Sequence, residues 1–121
     1  MENTFTILCH ITGTLGADHT FRWIAPFDCT LVHVSANNST AYAGLLEIGD
    51  SADKDEYLLS SAFGTAGTPA EYDGDDFVDA AGLTWTKYYP RIVDGTIVVV
   101  SIADHISHMA AASVVLTFEK G

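Results

Sequence analysis

A period of two runs through most of this chain, and no stretch sustains the three-to-four-residue spacing of an amphipathic helix. Phe5, Ile7, Cys9 and Ile11 alternate with Thr4, Thr6, His10 and Thr12, before Gly13 and Gly16 mark a turn. Successive side chains of a strand point to opposite faces, so this spacing places one apolar row against a core. Phe21–Ile24 is a short second strand, stopped by Pro26. Thr30–Ala36 alternates around Val32 and Val34 and breaks at Asn37-Asn38-Ser39. Leu45–Ile48 is a fourth strand ending at Gly49-Asp50. Tyr57–Phe63 reads as a fifth strand or a short helical turn. Thr96–Ile102 is β-branched almost throughout and apolar on both faces, which points to burial on both sides. It follows the tight-turn pair Asp94-Gly95. Leu83–Tyr89 and Ser113–Phe118 complete about eight strands.

That pattern predicts an all-β chain, a single β-sandwich domain over residues 1–121 with an acidic, loop-rich segment at 47–82. An eight-strand jelly roll is the expected architecture, with an immunoglobulin-like sandwich as the runner-up. The length of 121 residues leaves room for one core. Gly64–Gly82 reads as a long surface excursion with at most one short element near Phe77-Val78.

Charge is distributed unevenly. The net charge is −11, from sixteen acids and five bases. Residues 47–79 hold ten of the acids with Lys54, whereas 80–121 balance three acids against three bases. So acidic a chain lacks the basic face that nucleic acid or an anionic membrane requires. Its longest apolar run, Ile97–Val100, is far too short to span a bilayer. The first residues carry neither the basic nor the apolar region of a signal peptide, so folding in a cytoplasm is expected.

Catalytic constellations are missing. No Gly-x-Ser-x-Gly turn, phosphate loop or dinucleotide fingerprint is present, so no enzyme activity is expected. His10 and His33 would meet if their strands were neighbours. His105 and His108 have a spacing that suits a metal on a helical turn, with no evident third ligand. Cys9 and Cys29 read as small buried hydrophobes, with a disulfide between them left open. The acidic segment forms two clusters, Asp50 to Glu56 and Glu71 to Asp76 with Asp79. Within them Asp50, Asp53, Asp55, Asp73, Asp75 and Asp76 are candidate oxygen ligands for Ca²⁺, although neither cluster has the glycine and distal glutamate of an EF-hand. The alternative is a solvated acidic loop pair that steers the protein towards a basic partner. Arg22, Trp23, Trp85, Tyr88, Tyr89 and Arg91 are candidate interface residues. The aromatics among them would also serve as a sugar-stacking platform, or pack the core.

Three segments carry a family resemblance. They are Phe21-Arg-Trp-Ile-Ala-Pro-Phe-Asp-Cys-Thr-Leu-Val-His-Val-Ser35, Leu46-Glu-Ile-Gly-Asp-Ser-Ala-Asp-Lys-Asp-Glu-Tyr-Leu58 and Asp94-Gly-Thr-Ile-Val-Val-Val-Ser101. The pattern resembles the small β-sandwich capsid decoration, or cement, proteins of tailed bacteriophages, from about residue 20 to 118. The resemblance implies a virion protein on the capsid surface, assembled in the host cytoplasm. It further implies a homotrimer bound to the major capsid protein, with no catalytic residues and no cofactor. The alternative is a tail- or head-displayed module that recognises carbohydrate, with Ca²⁺ assisting.

Overall fold

In the computed structural model, which describes residues 3–77, 89–103 and 109–121, strands dominate and form two sheets. In chain order they are β1 (Thr4–Thr14), β2 (His19–Ile24), β3 (Cys29–Asn37), β4 (Leu45–Asp50), β5 (Leu58–Ala62), β6 (Ala70–Tyr72), β7 (Arg91–Ile92), β8 (Ile97–Ala103) and β9 (Ala110–Lys120). One sheet has the order β1-β9-β3-β6, with β7 also on β3; the other has the order β2-β8-β4-β5. Every pairing is antiparallel.

The topology is that of a long hairpin rolled up. Four pairs are nested, β4 with β5 innermost, then β3 with β6, β2 with β8, and β1 with β9 outermost. Rolling brings β3 beside β9 and β4 beside β8, which joins the pairs into two sheets. This is the jelly-roll arrangement, as the count and spacing of strands led one to expect.

The inward rows follow the alternation in the sequence. Leu31, Val34, Leu46, Ile48, Val100, Ile102, Leu116 and Phe118 are buried in one continuous core. Complete burial of such a side chain is worth about 1.5–3 kcal/mol. An aromatic cluster fills one end, with Phe118 stacked 5.3 Å from Phe5 and 5.0 Å from Trp23. Tyr57–Phe63 resolves as strand, with β5 over Leu58–Ala62.

One expectation needs correction. The excursion from Gly64 contains a strand, β6, paired to β3 through Val34–Tyr72 and Ala36–Ala70. Three residues are too short for periodicity to reveal, and β3 supplies the template. A 3₁₀ turn at Gly74–Asp76 then delivers Phe77 into the core. β1 and β3, whose adjacency the sequence left open, are not neighbours, because β9 lies between them. Cys9 and Cys29 are accordingly both free and buried, and burial pushes the Cys9 thiol up to about 11. The expected strand Leu83–Tyr89 falls almost wholly outside the described residues.

Candidate functional site

The two lateral edges of the sandwich are built differently. At one, β5 and β6 are short and tied together. The Tyr72 hydroxyl donates to the Ala62 carbonyl, which links the two sheets. Buried Asn38 pins the end of β3 there: its amide donates to the Tyr42 carbonyl at 2.9 Å and the Gly64 carbonyl at 2.6 Å. Its Oδ1 accepts from the Thr40 amide and hydroxyl at 2.9 and 2.6 Å. A buried amide so fully satisfied fixes several backbone segments at once.

The acidic loops leave from this same half. After β4 the Asp50 carboxylate accepts from the Ala52 and Asp53 amides at 3.0 and 2.8 Å. Asp53 accepts from the Asp55 amide at 3.3 Å. The Asp53 carboxylate beside Asp55, with slight burial and Glu47, raises the Asp55 carboxyl above its ordinary range. The loop folds back so closely over the sheet that a Cβ on Gly49 would run into the Asp53 carbonyl. After β6 the Asp76 carboxylate accepts from the Asp73 amide at 3.0 Å. These bonds to backbone amides hold each loop in shape. The two clusters follow strands of different sheets. Among the described residues no group of three or more His, Cys, Asp or Glu side chains converges as a metal-ligand set.

At the opposite lateral edge, β1 and β2 each have a strand on one side only among the described residues. The inner rows of these two strands, with Ile7, Phe21 and Trp23, line a narrow apolar cleft between the sheets. Trp23 is therefore a packing residue, turned inward while its neighbour Arg22 is exposed on the outer face of β2. The expected interface set does not form one patch. Arg22 belongs to the β2-β8-β4-β5 sheet, whereas Arg91 lies on β7 of the other, 3.4 Å from Asp28. Tyr89 is partly exposed, with its ring 6.4 Å from that of Phe77. Trp85, Tyr88, Asp79, His105 and His108 lie outside the described residues.

The two outer sheet faces also contrast. On β2-β8-β4 a shallow concavity of about 390 Å³ is lined by Thr20, Arg22, Glu47, Lys54, Val99 and Ser101, among others. Lys54 approaches Glu47 at 3.9 Å across it. On β1-β9-β3 the outer face reads, row by row, Thr6–Thr117–His33, Leu8–Val115–Ser35 and His10–Ser113–Asn37. His10 bonds to the Ser113 hydroxyl at 2.7 Å, and His33 to Glu71 at 3.1 Å. β9 keeps the two imidazoles apart, so they do not meet. The Ser113 and His10 pair sits on an open sheet face, with Asn37 rather than a carboxylate completing its row. The third member that would orient the imidazole of a hydrolytic triad is therefore not in that row.

No protein-family model matches this sequence, and no curated protein matches it either. Among solved structures it is similar to a chain of the cyanophage Pam1 capsid asymmetric unit. The identity is 19%, the match covers 98% of this chain and 84% of that chain, and the TM-score is 0.54. A chain of the virus-like particle of the extra small virus of the giant freshwater prawn Macrobrachium rosenbergii matches with 9% identity. That match covers 98% of this chain and 79% of the other, with a TM-score of 0.39.

The likeness to the Pam1 chain concerns the fold, and it runs the length of the jelly roll rather than one sheet of it. The uncharged face spanning β1, β9 and β3 is the feature that strand-by-strand reading misses. Its members lie up to 111 positions apart, from Thr6 to Thr117, and only the pairing register assembles them.

Proposed function

We propose that this chain is a structural virion protein, a small decoration protein that oligomerises, as a trimer, on the outer surface of a capsid and reinforces it. The observation that carries the reading is the end-to-end likeness to a capsid chain little longer than this one. Chain matches chain, rather than a domain within a much larger shell subunit. The segments around Pro26, Gly49 and Gly95 that resemble decoration proteins point the same way. The acidic loops give this reading a physical means of attachment: a displayed negative edge is drawn to a basic surface of the major capsid protein.

The test is to add the purified chain to expanded heads that lack decoration, and to measure co-sedimentation and resistance of the heads to heat. Saturable binding with a higher disruption temperature is expected. Heads that neither bind the chain nor gain stability would overturn the proposal. The carbohydrate reading gains nothing from Trp23, whose ring packs on Phe5 and Phe118.

A further inference from the structure

We infer that the β1 edge, centred on Leu8 and continued over the outer face of β9 and β3, is the surface through which one copy of this chain binds a second copy. The inference rests on the reading that the protein oligomerises, and it names where. From Thr4 to Thr14 β1 contains no charged residue and no proline. It is an eleven-residue strand paired to β9, and over residues 5–14 no other strand among the described residues meets its outward amides and carbonyls. Proteins blunt such edges with charge, proline or a very short strand. The β5 and β6 edge does so, with five and three residues and acidic neighbours; β1 has none of these three, and its one irregularity, between Ile11 and Thr14, lies at the end of the strand.

The face beside this edge is as unusual for this chain. On β1, β9 and β3 the three rows around Leu8 contain no Asp, Glu, Lys or Arg, although the net charge is −11; the first carboxylate of this face is Glu71 on β6, opposite Ser35 at the far end of the Leu8 row. Leu8 is 64% exposed at their centre, next to Val115. Hydroxyl-bearing, small and β-branched side chains give a surface that loses little on desolvation.

Charge decides the occupant. Two molecules at −11 approach most cheaply where neither carries charge, and the β1 edge lies across the sandwich from the β5 and β6 edge. A basic partner would instead be drawn to the acidic loops and to Glu71 on β6, at the far side of this face from β1. A second copy also supplies strand edges, that of β2 among them, and a head-to-tail contact between unlike surfaces closes a ring as a trimer requires.

Sedimentation velocity on the full chain tests this with Leu8→Lys and, as a control from the opposite edge, Leu59→Lys. Leu59 is 41% exposed on β5. Leu8→Lys is expected to weaken self-association by about a hundredfold and Leu59→Lys to leave it unchanged. Hydrogen exchange gives a second readout on the wild-type chain: the outward β1 amides should gain protection as concentration rises. An oligomer that Leu8→Lys leaves intact, with no concentration-dependent protection in β1, overturns this surface while the oligomeric reading stands. A wild-type chain that remains monomeric at roughly 100 µM overturns that reading, and this surface with it.

Discussion

One lateral edge of this sandwich is closed by its own side chains and the other is not. At the β5 and β6 edge, Tyr72 bridges the sheets, Asn38 pins three backbone segments, and carboxylates crowd the loops. At the β1 and β2 edge, aromatic and aliphatic side chains line a narrow apolar cleft, beside a long uncharged strand. A sheet edge is a template for further pairing wherever it lies. The difference teaches that this chain deters association at one edge and leaves it possible at the other. The acidic block is thus a device with a direction, rather than a general aid to solubility.

Breaking the closed edge should have the largest effect. Asn38→Ala removes four hydrogen bonds and leaves the Gly64 and Tyr42 carbonyls with one donor fewer. Urea unfolding should show a loss of about 3 kcal/mol. A loss below about 0.5 kcal/mol would mean that this edge does not depend on its pin.

The seal of the open edge can be read from Cys9, which lies on the inner row of β1. Its folded-state pKa of about 11 stands above the ordinary thiol value of 9.0. The stability this represents is fully present below pH 9 and is lost as pH rises through 11, because the unfolded chain ionises first. The change is about 3 kcal/mol, with burial of Tyr57 acting in the same direction. Urea midpoints measured from pH 8 upwards should fall over this window, and Cys9→Val should flatten the fall. A thiol that titrates at its ordinary value in the folded protein would show the cleft to be wet.

Tyr72→Phe is a milder cut at the closed edge. It deletes the bond to the Ala62 carbonyl and keeps the ring, so a loss of about 1 kcal/mol is expected in thermal unfolding. Salt should have the smallest effect, and its sign is informative. Raising ionic strength from about 0.05 to about 0.5 M screens repulsion between acidic loops and should modestly tighten self-association. Weakening instead would show that attractive pairs join the copies, contrary to an uncharged contact.

Much of the fold was legible because strand periodicity is local. The alternation of Phe5, Ile7, Cys9 and Ile11 places these residues inward in β1, and the β-branched run Thr96–Ile102 corresponds to β8 at the heart of its sheet. The step from Arg22 to Trp23 is likewise one of alternation, and it separates two residues that had been grouped by composition. β6 was not legible, since Ala70–Tyr72 has no period to show and becomes a strand only on the template of β3. The pairing of His10 with Ser113, and of His33 with Glu71, depended on β9 entering between β1 and β3.

By itself, then, the sequence determined that this chain makes short strands with one apolar face each, and that its charge is concentrated in residues 47–79. Both are properties of near neighbours along the backbone. Which strands touch, which edge is closed, and where an uncharged field opens were decided by the tertiary structure alone. The nested pairing sets Thr6 beside Thr117 and Leu8 beside Val115. A surface assembled from opposite ends of the chain leaves no mark on local spacing.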